Sequence, residues 1–323
     1  MTFWDQLPRP FLALAPMEDV TDVIFRRVVV CAGRPDVFFT EFTNAASFCS
    51  KEGELSTRGR LTFTESEQPI VAQIWGNKPE DFAEMAQALA KRNFVGIDIN
   101  MGCPDKKVVK SGSGATLITK PDLARELIVA AQTSKLPISV KTRLGYLKID
   151  EWQPWLAILL EQNLANLAVH LRTKKEMSKV PAHFELIPEI VALRDKIAPN
   201  TKLTINGDIH NRAHAMELWH KHPGVDGFMI GRGVFNNPFC FTDTAHPTHK
   251  QLFDLLNYHL DQFDKFHKIS PDHERKFEPL KRFFKVYVKD FPGAAEFRAK
   301  LFECKTTNEV REVLMGAVVD NDA

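Results

Sequence analysis

The run Val95-Gly96-Ile97-Asp98-Ile99-Asn100-Met101-Gly102-Cys103-Pro104 decides how this chain folds. A short apolar segment, Val95 to Ile99, drives into an Asn, a Gly, a Cys and a Pro. That reads as a buried strand ending in a sharp polar turn. Seven further segments are of the same kind: Phe11–Met17, Val37–Phe42, Ile70–Gly76, Ile138–Thr142, Leu167–His170, Leu203–Asn206 and Gly227–Gly231. With Gly96–Asn100 they make eight short apolar strands, as expected for a parallel sheet buried on both faces. Helical patterns lie between them. Pro79-Glu80-Asp81 opens one with a proline and acids in its first turn, and Pro121-Asp122 opens another ending near Gln132. Asp150–Gln162, Phe184–Lys196 and Asn211–Lys221 follow. Eight strands, most followed by a helix, predict an α/β fold of the (β/α)8 TIM-barrel type. An open doubly wound sheet is the competitor. Its Gly-x-Gly-x-x-Gly fingerprint after the first strand is replaced here by Ala15-Pro16-Met17.

The barrel pattern stops near Phe241, and Thr242–His249 reads as a linker. From Lys250 the signal is helical, with Leu252, Leu255, Leu256 and His259 on one face and Leu280, Phe284, Tyr287 and Phe291 on another. The expected division is a barrel over residues 1–243 and a small all-helical C-terminal domain over 244–323. With 44% hydrophobic and 26% charged residues among 323, the chain is able to bury such a core. A net charge of +1 gives no whole-protein field for nucleic acid, so a local basic patch would have to serve. Five cysteines without a Cys-x-x-Cys pair argue against a disulfide framework and a zinc ribbon. No metal is expected, and a cytoplasmic location fits. Met1–Pro10 has no signal pattern and no apolar run reaches the length of a membrane span, so no membrane association is expected. A monomer is the expected state.

In a barrel of this kind the C-terminal strand ends carry the chemistry. A lone cysteine is usually a small buried hydrophobe. Cys103, placed at such an end, is a candidate acid, base or nucleophile. Its neighbours strengthen that reading. Gln73 lies within the third strand, Lys141 and Arg143 end the fifth, and His170 and Arg172 close the sixth. Polar side chains in apolar strands cost free energy unless partnered, and at one end of neighbouring strands they converge on one pocket. The loops after the last two strands often build a phosphate site in such barrels. Here they read Asn206-Gly207-Asp208 and Gly231-Arg232-Gly233. Their glycines let backbone N–H groups approach an anion, and Arg232 is able to pair with a phosphate in two-pronged fashion.

These residues together carry a resemblance. Leu14-Ala15-Pro16-Met17 with Val20-Thr21-Asp22, Asn100 to Pro104 with Lys107-Val108, Lys141-Thr142-Arg143, His170 with Arg172-Thr173, Asn206 to Ile209, and Gly231-Arg232-Gly233 occur in order over essentially the whole chain. The set resembles the tRNA-dihydrouridine synthases of bacterial type. The resemblance implies an FMN-binding barrel followed by a helical tRNA-binding domain. It implies reduction of the C5–C6 bond of particular uridines in the tRNA D-loop, with NADPH as electron source. It makes Cys103 the proton donor to uracil C5. It places Pro16 and Met17 against the flavin, Gln73, Lys141 and His170 around its ring, and Asn206, Gly207, Asp208, Gly231 and Arg232 toward its phosphate. Asn100 and Arg143 would lie between flavin and substrate, with Arg172 on the RNA side. Glu18-Asp19 stands where the family more often has small residues, and Leu171 where a glycine is common.

Such a reaction suits these residue types. A thiol is mostly protonated at neutral pH yet acidic enough to protonate an enolate carbon. Lys141 and Arg143 are candidates to stabilise the developing charge, and the uracil must be extruded from its stack to reach the mouth. The run Pro104–Thr116, with Lys106, Lys107 and Lys110, reads as a mobile loop carrying Cys103. Lys281, Lys285 and Lys289 are spaced four apart with Arg282 beside them and Arg298 nearby, which predicts a basic helical ridge for RNA phosphates. Two other classes compete. An FMN-dependent reductase of a free pyrimidine, dihydroorotate dehydrogenase-like, would have no use for that ridge. An RNA-binding protein without catalysis would have no use for Cys103, Lys141, His170 and Arg232.

Overall fold

Alternation along the strands builds the barrel. The computed structural model describes residues 2–270 and 273–319; residues 1, 271–272 and 320–323, which fall within the expected domain spans, lie outside the described residues. The barrel strands are β1 (Phe11–Leu14), β2 (Phe38–Phe39), β3 (Ile70–Trp75), β4 (Gly96–Met101), β5 (Ile138–Arg143), β6 (Asn166–His170), β7 (Lys202–Asn206) and β8 (Gly227–Ile230). From β3 to β8 each pairs in parallel with the next, β2 lies against β3, and β8 returns to β1. An Ala13–Val37 bridge, with the Leu14 N–H on the Val37 carbonyl at 3.2 Å, links the ends of the ring.

Successive side chains point to opposite faces of a strand. Leu12, Leu14, Ile97, Ile99, Val140, Leu203 and Ile205 face the surrounding helices. Phe11, Ala13, Val71, Ala168 and Met229 fill the barrel interior, with Trp4 closing its floor. Both faces are therefore apolar low in the barrel, which is why the strands read as continuous apolar runs. Higher up, the interior positions of the same strands turn polar: Gln73, Asp98 and Asn100, then Lys141 and Arg143, then His170 and Asn206.

Each expected strand is present, with two differences. β1 stops at Leu14, two residues short of Pro16, which has no N–H to continue a ladder. The second strand is broken into Phe38–Phe39 and Thr43–Asn44. The break falls at Thr40, where the Gln73 N–H bonds the Thr40 hydroxyl at 3.0 Å. The structure adds a helix that the sequence pattern does not predict, Val23–Gly33, capped by the Asp22 carboxylate on the Phe25 N–H at 2.9 Å.

The C-terminal segment packs onto that helix. His249–Phe266 lies against it, the Phe25 and Phe283 rings stack at 4.8 Å, and Arg27 donates to Gln262 at 2.5 Å and to the Tyr258 hydroxyl at 3.2 Å. Leu252, Leu256, Phe284 and Tyr287 belong to the same apolar cluster as the barrel helices. The segment is helical except for a two-stranded hairpin, Lys268–Ser270 with His273–Glu274, too short to show in the sequence pattern.

Candidate active site

The polar upper layer of the barrel forms one mouth. Asn100 pairs in register with Lys141, Arg143 with His170, and His170 with Asn206. Gly102 follows β4 directly, and a Cβ there would meet the Thr142 backbone at 3.1 Å, a tight contact that glycine avoids where the Cys103 loop passes close to β5. Asn100 Oδ1 then accepts the N–H groups of Gly102 at 3.2 Å and Cys103 at 2.9 Å. Arg143, buried beneath, donates through Nε to the Gly102 carbonyl at 2.8 Å and through NH1 to Met177 at 3.0 Å and Thr173 at 3.2 Å. The turn that carries Cys103 is thus held from both sides. Burial pushes the Cys103 thiol above its ordinary value; the Asp105 backbone, Lys141 and Arg143 oppose this without reversing it. The thiol is a proton carrier at neutral pH.

Lys141 is half-buried at the mouth, and its Nζ has no hydrogen-bond or ion-pair partner among the described residues. Burial first, then the Arg143 charge, pulls its ammonium down to about 8. It remains charged at pH 7. His170 goes further: burial and the charges of Arg143, Lys141, Arg172 and Arg232 hold it well below its ordinary value, so it is neutral. Arg172 NH1 lies 3.1 Å from His170 Nε2. A guanidinium has donors only, so Nε2 accepts and Nδ1 carries the proton. Gln73 and Asn100 each use one amide N–H within the protein and keep a second. The mouth is therefore lined by donors from Lys141, His170 and Asn100, with Gln73 fully buried beneath them. Such a lining suits an electron-rich ring that gains negative charge.

On the far side, Gly207 has a φ of +116°, and a Cβ there would meet His170 Cδ2 at 3.0 Å. Asp208 receives Arg172, the Ala182 N–H at 3.0 Å and Arg232 NH2 at 3.0 Å. Burial alone would raise its pKa, but these donors hold it below the usual carboxylate range. Asn206 Nδ2 donates to the Met229 carbonyl at 2.7 Å, tying β7 to β8. A Cβ at Gly231 would find only Ala15 at 3.5 Å and Met17 at 3.9 Å, so open space borders Pro16 and Met17. Arg232 is 63% exposed.

Several expectations need correction. Asp208 is anionic and committed to two arginines, so it orients them and does not itself face a phosphate. Arg172 is 2% exposed and spends its donors on Val180, His170 and Asp208, which removes it from an RNA surface. The basic ridge does not form. Glu278–Phe283 is a 3-10 helix and Phe284–Tyr287 a single α turn, so a four-residue spacing does not keep one face. Lys281 is buried and donates to the Phe302 carbonyl at 2.8 Å, Lys289 is tied to the Asn236 carbonyl, and Arg298 donates to Val288 at 2.8 Å. Of that set Arg282 and Lys285 remain exposed. The Cys103 loop is also more ordered than expected: Asp105 caps the helix Lys106–Lys110, and a 3-10 helix, Gly114–Thr119, follows.

Three buried groups add to the site beyond what the sequence pattern marks. Asp98 and Ser139 lie one layer beneath the mouth, at interior positions that strict alternation from Asn100 and Lys141 points to. Glu41, 4% exposed, accepts the Asp19 N–H at 2.7 Å beside Arg60 and holds the loop after β1. Glu18 pairs with Arg60 at 2.6 Å, so the atypical Glu18-Asp19 is anchored on both residues. Leu171 is fully buried and leaves His170 in the mouth.

The family model for dihydrouridine synthase (Dus) matches residues 13–322. A probable tRNA-dihydrouridine synthase 2 of Bacillus subtilis is 56% identical over 97% of this chain and 95% of its own. A probable tRNA-dihydrouridine synthase of Staphylococcus aureus is 58% identical over 97% of this chain and 94% of its own. Among solved structures, the 6-hydroxypseudooxynicotine amine oxidase of Pseudomonas geniculata N1 aligns with a TM-score of 0.51 at 10% identity. It covers 71% of this chain, which spans 46% of that one, and the likeness is one of fold alone. The agreement of a full-length family match, close relatives and a donor-lined barrel mouth carrying Cys103 identifies the chain as a member of the dihydrouridine synthase family.

Proposed function

We propose that this protein reduces the C5–C6 bond of uridines in tRNA, in the D-loop, with FMN as cofactor and NADPH as electron source. The carrying observation is the unpartnered Lys141 ammonium beside neutral His170, facing a protonated Cys103 across the mouth. FMN, when bound, supplies hydride to C6 of the uracil. Lys141, His170 and Gln73 would hold its ring, Pro16 and Met17 would border it, and Arg232 with the Gly207 and Gly231 backbone would meet its phosphate. Lys141 fits because a partly desolvated cation without an ion-pair partner is costly, and an electron-rich ring edge offsets that cost. Cys103 then gives its proton to C5, and Asn100 and Arg143 keep the thiol over the base. The five free cysteines suit a reducing cytoplasm.

The grip on RNA is assigned to the barrel rim in place of the missing ridge. Lys106, Lys107 and Lys110 follow β4, Lys148 follows β5, and Lys174, Lys175 and Lys179 follow β6. None has an ion-pair partner among the described residues. The last two loops are joined by the Lys174 N–H on Gly145 at 2.8 Å and the Lys175 N–H on Tyr146 at 2.9 Å. Glu18, Asp19 and Glu41 belong to the loops after β1 and β2, where Arg60 pairs with Glu18 and Glu41, so the lysines without ion-pair partners are on the loops after β4, β5 and β6. There, RNA phosphates would be met while the flipped base enters.

The test is nucleoside mass spectrometry on unmodified tRNA incubated with the protein, FMN and NADPH. Dihydrouridine is expected with the wild type, and at least about a hundred-fold less with Cys103→Ala, the lower end of what one general acid contributes. No dihydrouridine from a flavin-loaded, reducible wild type would overturn the reading.

A further inference from the structure

One carboxylate inside the barrel has no part in the chemistry at the mouth. Asp98 is fully buried on β4, one layer below it. Its two oxygens each receive a donor: Ser139 Oγ at 2.6 Å on Oδ1, and Gln73 Nε2 at 2.6 Å on Oδ2. Gln73 is also fully buried, and its Oε1 accepts Asn100 Nδ2 at 3.1 Å. Asn100 Oδ1 in turn accepts the Gly102 and Cys103 N–H groups. The chain of bonds runs without interruption from Asp98 to the backbone of Cys103.

We propose that Asp98 is a positioning residue that sets Cys103, acting through Gln73 and Asn100. Hydrogen-bond polarity is the reason. An amide side chain offers a donor at one end and an acceptor at the other, and a half-turn about its last bond exchanges them. A carboxylate only accepts. Asp98 therefore makes Gln73 present its NH2 downward and its carbonyl to Asn100. Asn100 must then present NH2 to Gln73, and its carbonyl is left for Gly102 and Cys103. All the bonds of this chain form together in one arrangement only, in an interior where an unmet donor is costly. The same arrangement decides which amide hydrogens of Gln73 and Asn100 remain for the mouth. An apolar residue at position 98 would fill this layer without the cost of burying a carboxyl group. That cost is visible in Asp98 itself, which burial raises to about 6 against the pull of Ser139, Gln73 and Lys141.

This inference rests on Cys103 as the acid, so its test has an arm that needs no turnover. Asp98→Ala removes the acceptor, Asp98→Asn keeps one for Gln73 while its amide turns to the Ser139 hydroxyl, and Gln73→Leu cuts the next link. Peptide-resolved alkylation by iodoacetamide reads the placement of the Cys103 thiol in flavin-free and FMN-loaded protein. Asp98→Ala is expected to raise the Cys103 rate at least about three-fold, and Asp98→Asn to return it to near the wild-type value. In turnover on tRNA, Asp98→Ala should lower kcat by about 30- to 100-fold, the penalty of a misplaced reacting group, with KM for tRNA within about two-fold. Asp98→Ala with Gln73→Leu should be no slower than Gln73→Leu alone, because both act on one chain of bonds. If Asp98→Ala does not fold, Asp98→Ser, whose hydroxyl falls short of Gln73, carries the same expectations. Unchanged alkylation, or losses in kcat that multiply in the double variant, would overturn the proposal. A wild type without turnover would overturn the functional reading and leave the alkylation arm to judge Asp98.

Discussion

Glu41 is the residue whose ionisation costs the fold most plainly. It closes the first loop by accepting the Asp19 N–H, and Asp19 needs the hold because its φ is +56°. Burial first, then the nearby Asp22 and Glu18 charges, push Glu41 up to about 7 from 4.5, with Arg60 and Arg26 opposing. A folded-state pKa above the unfolded one means that the folded chain binds more protons between the two values. Stability therefore falls as pH rises from about 4.5 to about 7, by an amount on the order of 2–3 kcal/mol. Glu41→Gln keeps an acceptor for Asp19 and removes the ionisation. Denaturant unfolding should find the variant close to wild type at pH 4.5 and gaining on it by about 1–2 kcal/mol at pH 8, after allowance for the missing attraction to Arg60. A wild-type-to-variant difference that stays constant with pH would count against this assignment. Residues of this kind are hard to read from sequence. Cys103, Lys141 and His170 stand out because they end strands, whereas Glu41 follows a strand that the chain breaks in two, and Asp98 hides within an apolar run.

At the scale of elements, the helix Val23–Gly33 depends on a buried ion pair. Arg26 and Glu67 are both fully buried and meet at 2.5 Å, and Arg26 also donates to the carbonyls of Thr21 at 2.6 Å and Thr62 at 2.7 Å. One guanidinium thus joins the loop after β1, the helix that follows and the segment before β3. Arg26→Met would strand the Glu67 charge and two carbonyls, at about 3–5 kcal/mol. A fall in melting temperature of roughly ten degrees is expected, at about 2–4 °C per kcal/mol for a chain of this size class. The double variant Arg26→Met with Glu67→Leu should recover much of it, because no charge is then left unpaired; a double variant less stable than the single would refute this account. The same helix shows where sequence signals weaken. Val23 to Val30 is rich in β-branched residues, which favour strands, and only the Thr21-Asp22 start signal speaks for a helix. The long, strongly periodic helices Pro79–Leu89 and Pro121–Gln132, each opened by proline, are legible to within two residues. The C-terminal lysines mislead for a related reason. Their spacing fits an α-helix, but the chain there runs as a 3-10 helix and then bends at Val288, pinned by Tyr287 and His259 at 2.7 Å.

Across the whole molecule, the consequence is a redistribution of charge. Net charge is +1, so binding of a polyanion must come from arrangement. The C-terminal segment spends Lys281, Lys289 and Arg298 on carbonyls and joins the barrel through an apolar contact of Phe25, Phe235, Phe283 and His259. The rim loops after β4, β5 and β6 keep their lysines free, and Lys174 rests over the Tyr146 ring at 4.6 Å, an aromatic face available beside the cations. A cleft of about 740 Å3 between Asp19, Glu41 and Arg60 of the barrel and Phe263, Arg275 and Phe283 of the C-terminal segment flanks the mouth with mixed charge. Shape on that side and charge on the other would together orient an RNA over Cys103. Replacing Lys174, Lys175 and Lys179 with Glu should therefore weaken tRNA binding and flatten the plot of log affinity against log salt by roughly two to three, near one unit for each phosphate no longer neutralised. Reduction of bound flavin by NADPH should be unaffected, since none of the three lines the mouth. Arg282→Glu with Lys285→Glu, the exposed remainder of the C-terminal set, should change the slope by about one or less. Filter binding of tRNA at several salt concentrations separates the cases. Equal slopes for wild type and the rim variant, with a marked loss in the C-terminal one, would return the RNA grip to the helical segment.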